Sequence, residues 1–239
     1  MKNCASRLKK HRYGLEYPGK AGKDVHYDEC GGGILFCRGE KKRSLSRDSM
    51  DKTKEKAVWI VLADGFEETE AIVPADVLRR LKIPVILTGL EKEEVRGSHG
   101  IVVKADCLLR ETSLDDCIAI VLPGGLPGAI HLRDSAVLAE RLAKASESGK
   151  IVAAICAAPI ALERAGLTSG GSRRITGYPG SETMAPGLAY TGKNTERDGN
   201  LVTGKAPGAA FAFAAEIAVA LGKSRSEVED LYREMFVLQ

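Results

Sequence analysis

The segment from Gly149 to Gly166, GKIVAAICAAPIALERAG, constrains the fold more than any other part of this sequence. Ile151 to Ile155 form an almost unbroken apolar run, which is typical of a parallel strand buried on both faces. The residues after Cys156 have helical composition, and the pattern stops at Gly166. The segment therefore predicts a strand that turns directly into a helix, with Cys156 at the turn.

A cysteine in this position has two interpretations. The turn lies above the carboxyl edge of the sheet and faces the N-terminus of the following helix, where free N–H groups favour an anion. Thiol pKa values fall at such places, so Cys156 is a candidate nucleophile. Cysteine is also among the most frequently buried residue types, and an apolar-flanked cysteine can be core filling. The residues of this segment alone leave both interpretations open.

Further strands and helices alternate along the chain. The predicted strands are Ala57–Ala63, Pro84–Thr88, Cys117–Leu122, Arg173–Thr176 and Leu201–Thr203, with a β-hairpin arm at Ser98–Lys104. The predicted helices begin near Glu67, at Ser135, after the Cys156 turn, after Gly204 and at Ser224. Such alternation predicts an α/β fold with a doubly wound parallel sheet, whose site lies at the carboxyl ends of the strands.

Two other segments reach that edge of the predicted sheet. Glu67, Glu68 and Glu70 open the first helix, where carboxylates suit the helix dipole; alternatively, one of them turns back into the crevice. The pair Gly124-Gly125 follows a buried strand and can turn tightly enough to expose backbone N–H groups to a ligand. The chain has neither GxGxxG spacing nor the lysine of a phosphate-binding loop here, so an anion or carbonyl-oxygen site is favoured over a nucleotide site.

The charge is distributed unevenly. Residues 1–49 contain 12 Lys and Arg against 6 Asp and Glu, so the formal charge of +3 for the whole chain leaves residues 50–239 mildly acidic. This argues against specific nucleic-acid binding by the main body. Residues 1–49 lack sustained periodicity, which predicts either a disordered basic extension or sequence ahead of a start at Met50. Residues 50–239 are then the folded domain.

The cysteines and the apolar segments indicate the compartment. Six cysteines occur at irregular spacing without a CxxC pair, and no apolar run approaches the ~18 residues of a membrane span. The sequence therefore predicts a cytoplasmic protein with free thiols and no membrane association. A metal site formed by cysteines and histidines of the first 49 residues is disfavoured, because their spacing matches no familiar ligand pattern. The residues concerned are Cys4, His11, His26, Cys30 and Cys37.

Four motifs, taken in order, resemble those of the ThiJ/PfpI superfamily. They read ADGFEETEAIVPADVLRR, IVLPGGLPGA, IVAAICAAPIAL and GKAPGAAFAF, and the resemblance covers roughly residues 56–238. The branch that the motifs match best is that of the Parkinsonism-associated deglycase and its bacterial homologues. The resemblance implies a flavodoxin-like, mostly parallel sheet in a three-layer sandwich, and a homodimer.

The resemblance also implies an active site. Cys156 is its nucleophilic or oxidisable cysteine, Glu70 is the protonated carboxyl that hydrogen-bonds the sulfur, and Gly124, Gly125 and Ala157 form the oxyanion site. The implied activity converts methylglyoxal or glyoxal, or their early adducts with amines and thiols, to lactate or glycolate, with no cofactor and no metal. The alternative is an oxidative-stress sensor or redox-regulated chaperone that uses the same cysteine with little turnover.

Two departures from the superfamily narrow this interpretation. The peptidase branch has a histidine directly after the nucleophile, and because Ala157 stands there, a peptidase is disfavoured. Some deglycase-branch members have a histidine where this chain has Tyr178, which makes Tyr178 an alternative group for proton transfer or positioning. His131, shortly after the glycine pair, is a weaker catalytic candidate.

Overall fold

The fold is known from a computed structural model that describes residues 56–168 and 173–237. Residues 1–49 and the Met50 start lie outside this range, so both remain predictions. The strands are β1 Ala57–Leu62, β2 Val85–Gly89, β3 Glu94–Arg96, β4 Val102–Lys104, β5 Cys107–Leu108, β6 Cys117–Leu122, β7 Ile151–Ile155, β8 Arg174–Ile175, β9 Ala189–Tyr190, β10 Thr195–Asp198 and β11 Leu201–Gly204. The α-helices are α1 Glu68–Arg80, α2 Gly128–Asp134, α3 Ala136–Glu147, α4 Pro159–Arg164, α5 Ala210–Ala220 and α6 Arg225–Glu234.

The central sheet has seven strands in the order β10-β11-β7-β6-β1-β2-β5. Every neighbouring pair is parallel except β10 and β11, which are antiparallel. The chain moves outward from β1 to β2 and then crosses back to β6 on the other side. This is the doubly wound, mostly parallel topology that the alternating sequence pattern predicts.

Helices cover both faces of the sheet. Alternate residues of the central strands pack against α1, α5 and α6 on one face, in a buried cluster that includes Ile60, Val121 and Phe213. Their neighbours pack against α2, α3 and α4 on the other face, in a cluster that includes Trp59 and Ile120. Burial on both faces explains why β1, β6 and β7 are continuous apolar runs rather than alternating ones. The predicted three-layer α/β sandwich is confirmed.

Local signals located most elements correctly. Ser135 caps α3 by accepting a hydrogen bond from the Leu138 amide, and Ser224 caps α6 in a capping box with Glu227. The hairpin arm is also present, although its strand covers only Val102–Lys104. Within the described part of the chain, no helix is both long and apolar enough to cross a bilayer.

The predicted strand at Arg173–Thr176 is present in shorter form, but its expected place in the central sheet is wrong. Only Arg174–Ile175 is extended, and it pairs in parallel with Ala189–Tyr190 in a separate two-stranded sheet rather than in the central one. Helix α2 was not anticipated, because the glycine and proline residues around its start hide the helical pattern. The small sheet lies next to the Cys156 turn, since the Tyr178 amide that follows β8 donates to the Cys156 carbonyl.

Candidate active site

Three neighbouring strands of the sheet bring the predicted site residues together. Glu70 lies in the first turn of α1, which follows β1; Gly124 and Gly125 follow β6; and Cys156 follows β7. Because β7, β6 and β1 are adjacent and parallel, their carboxyl ends meet at one edge. The expectation that these residues converge is therefore met.

Cys156 adopts a backbone conformation that is unusual for a residue with a side chain. Its φ is +65°, in the left-handed region, which costs an L-residue roughly 1–2 kcal/mol. Two backbone hydrogen bonds hold it there: the Cys156 amide donates to the Gly204 carbonyl at 2.9 Å, and the Tyr178 amide donates to the Cys156 carbonyl at 2.8 Å. This sharp turn places the thiol above the sheet edge, where only 8% of the residue is exposed.

Glu70 is a fully buried carboxyl beside this thiol. Its exposed fraction is 0%, and its Oε2 accepts a hydrogen bond of 2.8 Å from the Gly124 amide. Its Oε1 has no hydrogen-bond partner in ordinary geometry among the described residues. The carboxyl interacts with the Cys156 thiol, and each group alters the pKa of the other. A buried oxygen without a partner is costly when it is charged, which favours the protonated form.

The two glycines are required by this close approach. A Cβ at Gly124 would lie 2.7 Å from the Cβ of Cys156 and 2.8 Å from Oε2 of Glu70. Gly125 has a φ of +87°, and a Cβ there would collide with the Glu67 backbone nitrogen. These backbone positions let the amide of Gly125, together with that of Ala157, hydrogen-bond the sulfur of Cys156. Gly125 and Ala157 thus place two backbone donors at the sulfur, as an oxyanion site requires, whereas the Gly124 amide is engaged by Glu70; the role of the three residues as an oxyanion site stays a prediction.

The protonation of the pair differs from the expectation for an isolated thiol at a helix N-terminus. The pKa of Glu70 is raised to about 7: burial is the largest cause, the Gly124 amide and the thiol oppose it, and the charge of Glu67 adds a smaller increase. Burial, followed by the charge and hydrogen bond of Glu70, raises the pKa of the Cys156 thiol to about 12, against the two amides. The predicted fall in the thiol pKa through the helix alone is therefore wrong.

The physical reason is that burial and the Glu70 carboxyl raise the pKa of the Cys156 thiol more than the following helix lowers it. Helix α4 has six residues and begins at Pro159, which has no N–H to offer an anion. Near neutral pH the Glu70–Cys156 pair loses one proton, and the second is held until strongly alkaline pH by repulsion between the two charges. The order of the two pKa values leaves the remaining proton mainly on the thiol; the thiolate beside a protonated Glu70 is the minor arrangement of the same proton and appears over the same pH range.

Tyr178 contacts the site through its backbone. Its amide holds the Cys156 carbonyl, whereas the residue as a whole is 51% exposed. Tyr190, which the sequence did not single out, lies beside the same segment: its ring packs against Gly177, and its hydroxyl is 3.0 Å from the Ser181 hydroxyl, which donates to the Tyr178 carbonyl. Burial raises the pKa of Tyr190, and the charge of Cys156 is among the smaller causes. No local pattern indicates this proximity, because Tyr190 approaches only through the small sheet.

His131 belongs to a different part of the molecule. Its Nδ1 lies 2.9 Å from the Asp64 carbonyl oxygen, and it lines a cavity of about 350 Å³ with Asp64, Lys92 and Asp134. None of the residues lining this cavity belongs to the Cys156 group. The structure thus does not bring His131 to the candidate active site.

Glu67, Glu68 and His99 form a cluster whose ligand atoms lie within 4.8 Å of one another. The Glu68 carboxylate accepts hydrogen bonds from the His99 amide, the His99 ring and the Ile101 amide, at 2.8, 2.8 and 3.3 Å. These bonds attach the turn between β3 and β4 to α1 and engage both Glu68 oxygens. The cluster is explained as a structural clamp and requires no metal. The possible metal ligands of residues 1–49 lie outside the described residues.

Comparison with known proteins identifies the family. The DJ-1/PfpI family model matches residues 56–220. DJ-1beta of Drosophila melanogaster is 36% identical over 188 residues, covering 76% of this chain and 97% of that protein. A protein named as a deglycase from Pyrococcus abyssi is 35% identical, covering 66% of this chain and 95% of that protein.

Solved structures agree with this family assignment. A DJ-1 superfamily protein from Salmonella typhimurium superposes with a TM-score of 0.70 at 34% identity, covering 76% of this chain and 98% of that one. The Drosophila DJ-1beta structure gives a TM-score of 0.69 at 35% identity, covering 77% and 100% of the two chains. The agreement of motifs, fold and relatives leads to one conclusion: this chain belongs to the DJ-1/PfpI family.

Proposed function

We propose that the protein is a cofactor-independent cysteine enzyme of the glyoxalase or deglycase type. It acts on 2-oxoaldehydes, namely methylglyoxal and glyoxal, or on their early adducts with protein or nucleotide amines and thiols, and releases lactate or glycolate. One observation carries the proposal: a buried carboxyl with a pKa of about 7 faces a thiol that two backbone amides also contact. The deglycase name of the Pyrococcus abyssi relative supports it.

The reaction with methylglyoxal requires no external oxidant. The Cys156 thiolate adds to the aldehyde carbon C1, and the oxyanion that forms takes the proton held by Glu70, which gives a hemithioacetal and leaves Glu70 as the carboxylate. The amides of Gly125 and Ala157 suit this oxyanion, and one such donor is worth roughly 3–4 kcal/mol in enzymes where it was tested. Nucleophilic attack thus uses the thiol, the proton shared with Glu70 and the backbone amides.

The second stage is a proton transfer from C1 to C2. The Glu70 carboxylate removes the C1 proton, giving an enediolate, and the protonated carboxyl returns that proton to C2. C1 is thereby oxidised to a thioester and C2 is reduced to an alcohol. Water then cleaves the thioester, releasing lactate and the free thiol. A carboxyl with a pKa near 7 suits both halves of this transfer at neutral pH.

The test is lactate release from methylglyoxal by the purified protein, without glutathione. Wild-type protein should show saturable turnover, and Cys156→Ala should abolish it while leaving the melting temperature nearly unchanged, because alanine fits the small apolar surroundings. Glu70→Gln should lose roughly 10²- to 10⁴-fold in turnover, since an amide can donate to sulfur but cannot accept and return a proton. Full turnover by Glu70→Gln would exclude the carboxyl as the proton carrier.

The second candidate is an oxidation sensor or redox-regulated chaperone. The same amides and the protonated Glu70 can hold the oxygens of a cysteine sulfinate, and a solved DJ-1 structure from Toxoplasma gondii, 30% identical to this chain, is an oxidised form. The lactate assay separates the two functions. Peroxide-dependent mass increases at Cys156 without saturable turnover would favour the sensor.

A further inference from the structure

We infer that Glu67 is a positioning residue of this site: it holds the Glu70 carboxyl and the loop at Gly124 in a fixed arrangement toward Cys156. The inference extends the proposed function, on which its turnover measurement rests, while its measurement of thiol reactivity does not depend on any substrate. The observation behind it is a closed ring of hydrogen bonds that joins the two segments on either side of the thiol.

The ring consists of three short hydrogen bonds. The Glu67 amide donates to the Gly124 carbonyl at 2.9 Å, the Gly124 amide donates to Oε2 of Glu70 at 2.8 Å, and the Glu70 amide donates to Oε2 of Glu67 at 2.7 Å. Each residue is therefore both donor and acceptor. Moving any one of them displaces the other two, so the Glu67 side chain helps to fix where the Glu70 carboxyl lies.

The identity of residue 67 is not explained by helix capping alone. Glu67 is the N-cap of α1, with extended backbone at φ −84° and ψ 123°. The residues favoured at this position are serine, threonine, aspartate and asparagine, as at Ser135 and Ser224 in this chain. Glutamate caps less well, and 9% exposure leaves its carboxylate largely out of water. A second role for the carboxylate accounts for its presence.

The charge of Glu67 supplies that role. Two titratable groups alter the pKa of Glu70: Glu67 and the Cys156 thiol in the β7–α4 turn. The Gly124 amide, which follows β6, also alters it through its hydrogen bond. On its other side Glu67 lies near Glu68 and, from the β3–β4 turn, His99. The negative charge of Glu67 disfavours ionisation of the Glu70–Cys156 pair and so retains a proton between them.

Two substitutions of Glu67 separate the effect of its hydrogen bond to the Glu70 amide from the effect of its negative charge. Glu67→Gln keeps an oxygen that can accept from the Glu70 amide but removes the charge, whereas Glu67→Ala removes both. Ser224→Ala is the matched control, because it likewise removes an N-cap side chain, but from α6, which carries none of the site residues. Each protein is alkylated with iodoacetamide from pH 5 to 9. The rate at Cys156 is followed by mass spectrometry on the tryptic peptide spanning residues 151–164, in which Cys156 is the single cysteine.

The expected results differ between the variants. Glu67→Gln should move the midpoint of the alkylation profile to lower pH by roughly half a unit or more, because the anion no longer forms beside a like charge. Its kcat for methylglyoxal should stay closer to wild type than that of Glu67→Ala, which should lose roughly tenfold or more in kcat with a KM changed by less than about threefold. Ser224→Ala should reproduce the wild-type profile and kcat.

An unshifted midpoint in Glu67→Gln, or a Glu67→Ala protein with wild-type kcat and midpoint, would overturn the inference. If Glu67→Ala does not fold, the Glu67→Gln midpoint decides alone. If the wild type shows no turnover but the Glu67→Gln midpoint moves, the proposed function fails and the role of Glu67 in setting the protonation of the pair stands.

Discussion

Glu70 is a carboxyl without exposed surface, and its burial raises its pKa to about 7. At neutral pH it therefore exists in both protonation states, which is the property that proton transfer requires. The same burial opposes folding, because the unfolded chain ionises this carboxyl at a pKa near 4.5 while the folded chain ionises it only near pH 7. The burial of Glu70 thus both lowers the stability of the folded protein and gives the carboxyl a pKa suited to proton transfer.

This cost gives a pH-dependent prediction. Below pH 4.5 the carboxyl is protonated in both states and contributes nothing; as pH rises to 7 the unfolded state loses its proton first, so the folded state is destabilised. Urea unfolding of wild type and Glu70→Gln should show their difference in unfolding free energy changing by about 3 kcal/mol between pH 4.5 and 8, with wild type losing stability. Glu140→Gln, at an exposed ion pair with Lys144, is the control and should not show this loss.

Substitution of Tyr178 tests whether its hydroxyl takes part in turnover. Since its contact with Cys156 uses the backbone amide and its side chain is exposed, Tyr178→Phe should cost about tenfold or less in turnover. Tyr190→Phe is the comparison, because it removes the hydroxyl that bonds Ser181 next to the same backbone. A loss in Tyr178→Phe as large as that in Cys156→Ala would show that this tyrosine transfers the proton.

At the scale of elements, the site depends on the close approach of two connecting segments, the loop after β6 and the turn after β7. These two segments approach until the Gly124 backbone lies against both Cys156 and Glu70. The left-handed Cys156 and Gly125 both change the chain direction sharply, so the two amides point at one sulfur. The close spacing of the segments, rather than any one side chain, therefore creates the anion-stabilising environment.

Gly124→Ala tests that spacing. The added methyl would come within 3 Å of Cys156, Glu70 and the Ile155 carbonyl, so the loop must shift and the Gly124–Glu70 hydrogen bond must lengthen. We expect turnover to fall at least tenfold and the alkylation profile of Cys156 to change. Gly208→Ala is the matched control, because no atom lies within 4 Å of its added methyl. Equal behaviour of the two variants would contradict the close-approach argument.

At the scale of the whole molecule, the doubly wound topology places the site. The strand order sets β1, β6 and β7 side by side, although long segments of sequence separate them. Each strand leads at its carboxyl end into one part of the site: a helix with Glu70, a glycine loop or the cysteine turn. The family match over residues 56–220 falls within the predicted domain of residues 50–239.

A shortened chain that begins at Met50 should retain the melting temperature, the alkylation profile and turnover of the full chain, because residues 1–49 show no core-forming pattern. Differential scanning calorimetry, iodoacetamide alkylation and lactate release measure these three properties, and a large drop in melting temperature would contradict the prediction. The homodimer and the cytoplasmic location remain predictions; light scattering on both chains measures the first, and fractionation of cells measures the second.

The local order of residues determined much of this protein. Apolar runs such as Ile151–Ile155 predict strands buried on both faces, and serines predict helix starts. The Cys156 turn was predicted from a strand followed at once by helical composition, and in the structure three residues separate the strand from α4. These signals are short-range, so they can be read from neighbouring residues. The convergence of Glu70, Gly124 and Cys156 was also predictable, because the carboxyl ends of adjacent parallel strands share one edge.

Tertiary structure decided the remaining properties. The pKa of Glu70 depends on its complete burial and on an amide 54 residues away in sequence, so the thiol is controlled by a carboxyl and not by its own short helix. The approach of Tyr190 and the hydrogen-bond ring through Glu67 likewise arise from contacts between distant segments. Desolvation and electrostatic coupling depend on distances in space, and a linear pattern of residues does not contain those distances.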